Sequence, residues 1–437
     1  MKSAGRNLFL TGGRLVDPSQ DLDVVGDLHI VDGKIHAVGA SLAKPKDETP
    51  VLSMAGLVVT PGWIDMHTHL REPGASNKET IYTGTQAAAA GGMTSIACMA
   101  NTNPVNDSAF ITSFIHQKAA ADSVVNVYPI GAITKGLRGE ELAEIGSMFE
   151  AGISALSDDG KTVMNAYLMR KALDYSKKFD LAVISHAEDV NLKGKGVMNE
   201  GFNSARFGLR GIPRTSEDLI VARDILLAEL TGARIHVAHL STVGSVELVR
   251  WAKKRGVRVT AEVTPHHLNL TDDAVAGYDT NTKVAPPLRE QRDVDAVREA
   301  LADGTIDIVA SDHAPHAIED KLVEYDLAEF GMVGLETAFP LYYRMCLKNG
   351  VALTRLISSL TTEPAKVLGI PKGTLKVGAD ADVSVFDPEK TYRIDKLGFR
   401  SKSKNTPFHG WEVQGKVRYT IVAGRVVYSS EDSKDVQ

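Results

Sequence analysis

The chain has 437 residues, 49 Lys plus Arg against 55 Asp plus Glu, a formal charge of −6 and 43% hydrophobic residues. That is ordinary globular composition, which excludes extended disorder, and the mildly acidic balance supplies no whole-chain attraction for nucleic acid or anionic lipid. The length suits an α/β barrel of about 250 residues with a smaller partner domain, and a small-molecule substrate is expected, with no nucleic acid and no membrane as partner.

In chain order, the start MKSAGRNLFLTGGRLVDP meets polar and Gly residues too early for a secretory h-region. LFLTGGRLVDP (8–18) and GDLHIVDGKIHAVG (26–39) alternate apolar and polar residues, with a hairpin turn predicted at Val31-Asp32-Gly33. The last seventy residues return to that style in GTLKVGADADVSVFDP (373–388) and VQGKVRYTIVAGRVVYS (413–429), with a turn at Ala423-Gly424. Neither end has enough apolar surface for a core of its own. Residues 1–58 and 371–437 are therefore expected to form one small discontinuous β-sandwich domain.

Between them, residues 59–370 alternate short β-branched or apolar runs with helical patterns. The runs are GLVVTPGWIDMH (56–67), TSIACMA (94–100), VVNVYPIGAI (124–133), ISAL (153–156), LAVISHA (181–187), RIHVAHL (234–240), VRVTAEVT (257–264) and TIDIVAS (305–311). Eight strands alternating with helices predict a (β/α)₈ TIM barrel, whose chemistry gathers at the carboxyl ends of the strands. Ser76 with Glu79 reads as a capping box, and Gly91-Gly92 ends that helix. Leu219, Ala222, Leu226 and Leu230 form an apolar stripe at helical spacing. The smoothest stretch, 87–100, is shorter than the about 20 apolar residues of a membrane span. Two cysteines, Cys98 and Cys346, cannot frame a chain this large with disulfides, which points to the cytoplasm.

Thirteen histidines give roughly 0.4 chance pairs at any one separation, so an HxH means little by itself. Position is what counts. His67 and His69 close the first predicted strand, where i and i+2 share a face. Asp158-Asp159-Gly160 ends the fourth strand, His186 the fifth, His239 the sixth and Asp312 the eighth. Read singly, His186 or His239 is an ordinary buried histidine, and Asp158-Asp159-Gly160 an ordinary turn. Read together, four histidines and two or more carboxylates at one end of a barrel predict a divalent metal site, and a two-metal one. Imidazole and carboxylate donors without thiolate suit catalytic Zn²⁺, and Asp159 is placed to bridge. His29, His36, His116 and His409 read as surface or turn residues, and His236, His266 and His267 as structural.

DMHTHLREPG (65–74), MANTNP (99–104), SDDG (157–160), SHAED (185–189), HVAHLST (236–242), NTKVAPPLR (281–289), SDHAPH (311–316) and GADADVSVFD (378–387) resemble, in order, the motifs of the type I bacterial dihydroorotases of the amidohydrolase superfamily. The resemblance implies a zinc-dependent enzyme, with two ions per subunit, that reversibly cyclises N-carbamoyl-L-aspartate to dihydroorotate in pyrimidine biosynthesis. It implies that His67, His69 and Asp312 bind one zinc, that His186 and His239 bind the other, and that Asp159 bridges them. A carboxylated Lys bridges in many relatives, so a carbamate on Lys161 stays open as an alternative. Asp312 would be the catalytic base and then acid. Arg71 and Asn101 would hold the substrate carboxylate, assisted by His316, His69 would also bind substrate, and Phe330 and Gly331 would offer backbone groups to the ring. The segment from Ala317 to Phe330 reads as a lid. A homodimer and an association with aspartate transcarbamoylase are family analogies.

Two positions depart from the family pattern. Ala100 stands where Pro is common, and Ala285 where an Asn side chain is expected to touch substrate. A lost hydrogen bond there costs about 1–3 kcal/mol unless Asn281 or a water replaces it. Alternative readings are another cyclic amidohydrolase, such as an allantoinase or hydantoinase, and a non-catalytic dihydroorotase-like subunit.

Overall fold

The computed structural model describes residues 6–45 and 48–430. The outermost parts of the expected terminal domain, 1–5 and 431–437, lie outside the described residues.

Eight parallel strands form the barrel: Trp63–Thr68, Met93–Cys98, Asn126–Gly131, Ala155–Ser157, Ala182–Ser185, Ile235–Val237, Val259–Val263 and Ile308–Val309. Each lies within a predicted run or overlaps it. The first and last strands are joined where Thr68 bridges His313 and His69 N donates to the His313 carbonyl at 2.9 Å. Alternation along the strands sorts the core. Ile64, Met66, Ile130, Ile184 and Ile308 pack together across the interior. Their neighbours Trp63, Leu156, Val183, Ile235 and Val263 pack against the surrounding helices.

The first predicted strand is really two. Val58–Pro61 pairs with Val383–Phe386 in the terminal sheet, and Trp63–Thr68 belongs to the barrel. The switch falls at Gly62, where a Cβ would sit 2.1 Å from Thr94 Oγ1, so only glycine lets the chain pass. Trp63 seals the junction. It is fully buried, stacks on Phe339 at 4.0 Å between ring centroids and donates to Thr60 Oγ1 at 2.9 Å. Truncating such a side chain to Ala costs about 3–5 kcal/mol.

The terminal strands hydrogen-bond as one eight-stranded sheet, in the order Arg425–Ser429, Glu412–Val422, Val383–Arg393, Val58–Pro61, Leu8–Asp17, Leu22–Val31, Lys34–Gly39, with Val51–Ser53 alongside Leu8–Asp17. Leu10, Leu28, Ile30, Val383, Val385 and Ile421 share its core, which joins both chain ends. Both predicted turns form, with positive φ at Asp32 (50°) and Gly33 (76°) and at Ala423 (47°) and Gly424 (76°), the pattern of a type I′ hairpin turn.

Two helix expectations need correction. The helix Ile81–Ala90 is capped by Thr80 with Thr83, not by Ser76 with Glu79. Glu79 is buried and faces His313 and Ser401 instead. In the helix Thr215–Thr231, Leu219, Leu226 and Leu230 lie on the exposed side, while Ile220, Val221, Asp224, Ile225 and Ala228 face inward. The helix is apolar on two sides, and the inward stripe is disguised by Asp224. That carboxylate accepts from Ser185 Oγ at 2.5 Å and pairs with Arg223 at 2.7 Å. Among the described residues no helix is long and apolar enough to cross a membrane.

Candidate metal centre

All six predicted metal ligands meet at the carboxyl end of the barrel. His67 Nε2 lies 3.3 Å from Asp159 Oδ1 and 3.4 Å from Asp312 Oδ1. His69 Nε2 lies 3.2 Å from Asp312 Oδ1 and 3.5 Å from Asp159 Oδ2. On the other side, His186 Nδ1 is 3.4 Å and His239 Nε2 3.6 Å from Asp159 Oδ1. Asp159 thus turns one oxygen to His186 and His239 and the other to His69. Its neighbour Asp158 points away and accepts from the Ile133 and Thr134 amides at 2.7 and 3.0 Å. Lys161 is exposed on the cavity wall and takes no place between the two groups.

The donor set fits divalent cations. Donor atoms of His67, Asp159 and His239, and again of His67, His69 and Asp312, lie within 4.8 Å of one another. Two buried atoms at the centre, His67 Nε2 and Asp159 Oδ1, have no hydrogen-bond partner among the described residues. An unpaired buried polar atom is costly, and here two of them face the same space. His186 Nδ1 and His239 Nε2 face each other at 2.9 Å, which requires a proton or a cation between their lone pairs. Burial opposes charge on these groups, but Asp159, Glu262 and Asp312 outweigh it and hold His67 well above the ordinary imidazole value. His186 is likewise raised against burial, to about 9, by Asp159 and Glu188. Asp159 and Asp312 are lowered despite burial, mainly by His67. The cluster therefore demands positive charge, as protons or as metal ions.

Support for the cluster includes residues that sequence patterning assigned elsewhere. Glu262, fully buried on the seventh strand, puts Oε1 2.5 Å from His67 Nδ1 and Oε2 3.1 Å from His236 Nε2. His236, expected to be structural, thus lies in the layer beneath the centre. Glu262 gave no signal in isolation, although its interior position follows from alternation with Ala261 and Val263. His267 is structural as expected: Nδ1 lies 2.7 Å from Thr264 Oγ1, and Nε2 donates to the Pro286 carbonyl at 3.0 Å.

A cavity of about 350 Å³ opens over the cluster, lined by Arg71, Asn101, Lys161, Ala285, His316 and Phe330 among others. The predicted substrate residues converge there. Arg71 has φ of 62° and donates Nε to the Pro315 carbonyl at 3.2 Å. Asn101 Oδ1 accepts from His69 Nδ1 at 2.9 Å, so it also fixes which nitrogen of His69 faces the cluster. His316 Nε2 donates to the Phe330 carbonyl at 2.9 Å, and Nδ1 faces Lys78 Nζ at 3.4 Å. Burial, then Arg71 and Lys78, push His316 down to about 3, so its ring is neutral.

Two substrate expectations are altered by hydrogen bonding. Gly331 N already donates to the Lys283 carbonyl at 2.8 Å, and the Gly331 carbonyl accepts from Lys321 Nζ and Asn405 Nδ2 at 3.0 and 3.2 Å. Its backbone is thus committed within the protein. Asn281 bonds Asp279 and lines a neighbouring cleft, so it does not stand in for the side chain absent at Ala285.

Comparison with known proteins follows the same line. The Dihydro-orotase-like family model matches residues 56–245, and the Amidohydrolase family model matches 227–428. The dihydroorotase of Pelotomaculum thermopropionicum is 58% identical over 96% of this chain and 98% of its own length. That of Geobacter sp. strain M21 is 53% identical over 97% of this chain and all of its own. The chain belongs to the dihydroorotase family. In fold it is similar to the L-hydantoinase (dihydropyrimidinase) of Arthrobacter aurescens, with a TM-score of 0.87 at 27% identity, covering 97% of this chain and 96% of that one. The dihydroorotase family, as amidohydrolases, uses divalent metal, and the donor cluster described above is consistent with such use.

Proposed function

We propose that this chain is a dihydroorotase, interconverting N-carbamoyl-L-aspartate and dihydroorotate with two zinc ions. His67, His69 and Asp312 would hold one ion, His186 and His239 the other, with Asp159 between them. The observation that carries this reading is the pair of unpartnered buried atoms, His67 Nε2 and Asp159 Oδ1, beside a cavity that also holds Arg71. Identity above 50% to dihydroorotases over nearly the whole chain supports this substrate over other cyclic amides.

Bound divalent metal would supply Lewis acidity and lower the pKa of water toward neutrality. The chain's own residues do the rest. Arg71 presents a planar guanidinium to the substrate carboxylate, a pairing that Lys would not reproduce. Asn101 holds His69 in one tautomer, and its amide nitrogen, which donates to the Asp159 carbonyl at 3.5 Å, has a second N–H for the same carboxylate. In the hydrolytic direction Asp312 takes a proton from the attacking water and returns it to the leaving ring nitrogen; ring closure runs the same path backwards. Cys98 and Cys346 are buried free thiols, the state that a cytoplasmic setting maintains.

The test is a substrate panel with metal-analysed protein. Dihydroorotate should be hydrolysed well ahead of allantoin and hydantoin, with about two zinc ions per chain. Preference for either of the other two would overturn the reading.

A further inference from the structure

The segment from Ala317 to Gly331 contains one short helix, Ile318–Lys321, and otherwise no regular structure. Carbonyls that its own amides do not reach must find donors elsewhere. Two buried lysines supply them. Lys321 Nζ donates to the Glu329 and Gly331 carbonyls at 2.6 and 3.0 Å. Lys283 Nζ donates to those of Asp326 and Ala328 at 3.1 and 2.6 Å and lies 4.5 Å from the Phe330 ring centroid. Asn405, from the segment that follows the barrel, adds a third hold. Its Nδ2 reaches the Ala314 and Gly331 carbonyls at 3.1 and 3.2 Å, and its Oδ1 accepts from His316 N at 3.1 Å. Gly331 is obligatory at the focus: φ is 131°, and a Cβ would sit 2.6 Å from Ala314 Cβ.

Burying two ammonium groups is expensive, and an apolar filler would avoid the cost. Desolvation, reinforced by Lys283, lowers Lys321 to about 7. What the chain gains is a fixed loop. Because the Phe330 carbonyl accepts from His316 Nε2, the orientation of that imidazole follows the position of Phe330.

We propose that Lys321 and Asn405 are positioning residues that clamp the Phe330–Gly331 backbone and, through it, fix the neutral His316 ring in the cavity wall that it shares with Arg71. This deepens the dihydroorotase reading and rests on it for the substrate. The segment expected to act as a lid is then a tethered wall of the cavity.

The test uses the full-length, metal-loaded protein and its Lys321→Met, Lys321→Arg and Asn405→Ala variants. Without substrate, amide exchange at Gly331 should accelerate about tenfold or more in Lys321→Met, because the loosened backbone no longer keeps the Gly331 N–H on the Lys283 carbonyl. With dihydroorotate, KM should rise about fivefold or more while kcat stays within about twofold and zinc content is unchanged. Lys321→Arg should recover most of the loss. Unchanged exchange, an unchanged KM, or a parallel loss of kcat and zinc would overturn the proposal. Should Lys321→Met fail to fold, Asn405→Ala carries the same expectations. If the unaltered protein fails to turn over dihydroorotate, the assigned reaction falls, and the exchange measurement still decides for or against the clamp.

Discussion

Glu262 Oε1 lies 2.5 Å from His67 Nδ1, and this contact determines which nitrogen of His67 faces the cavity. The carboxylate occupies Nδ1, so Nε2 is left to point at Asp159 and Asp312. The same oxygen accepts from His239 N at 3.3 Å, so one buried carboxylate orients two of the proposed ligands. Glu262 is held at about 2; burial opposes this, and His67 and His236 outweigh it.

Glu262→Gln should weaken zinc retention by about 10- to 100-fold, because a neutral amide no longer enforces the tautomer or raises the basicity of His67. Competition against a chromophoric chelator measures this directly. Equal affinity in the variant would remove Glu262 from the support of the centre.

Asp312→Asn should leave the circular dichroism spectrum unchanged and lower turnover about 10²- to 10⁴-fold in both directions, since the amide cannot take up the proton. Substantial activity in either direction would show that the proton travels another way.

Arg71→Met should reduce kcat/KM for dihydroorotate by about 10- to 100-fold, the range of one lost charge-assisted contact, chiefly through KM. Steady-state kinetics with dihydroorotate reads out the split. An unchanged KM would argue against carboxylate recognition by this residue.

Ala285→Asn restores the side chain usual in the family at a position that lines the cavity. A regained hydrogen bond of about 1 kcal/mol would lower KM about fivefold. A higher KM would mean that this cavity has been shaped around the smaller residue.

Stability should depend on the buried histidines in a defined direction. Burial and the neighbouring His266 hold His267 well below the ordinary imidazole value, and burial pushes His266 down to about 4. Both folded-state values lie under that of the unfolded chain, so unfolded imidazoles take up protons first as pH falls. The contribution of these two imidazoles should therefore be present above about pH 6.5 and be lost from there downward toward pH 4. Melting temperatures of the metal-free protein between pH 4 and 7 should show this slope, and His267→Gln should flatten it. A slope that is identical in the variant would assign the acid sensitivity elsewhere.

The eight barrel strands were legible because each is a short apolar run bounded by turn residues, and the ligand positions because they end such runs. The same patterning misjudged the Thr215–Thr231 helix. A helix with apolar residues on two sides offers two stripes, and only the partner at Ser185 reveals why Asp224 lies on the inner one. Likewise Ser76 and Glu79 have the spacing of a cap, but His313 and Ser401, more than two hundred residues away, claim the carboxylate.

By itself the amino-acid sequence determined the barrel, the terminal sheet strands and the six clustered side chains, since these depend on local alternation and on residue types at strand ends. Only tertiary structure decided which carboxylate orients His67, that Gly331 is already spoken for, and that Lys283, Lys321 and Asn405 close on one loop. Those are contacts between segments distant in the chain, where the geometry of approach, and not any neighbouring pattern, selects the partner.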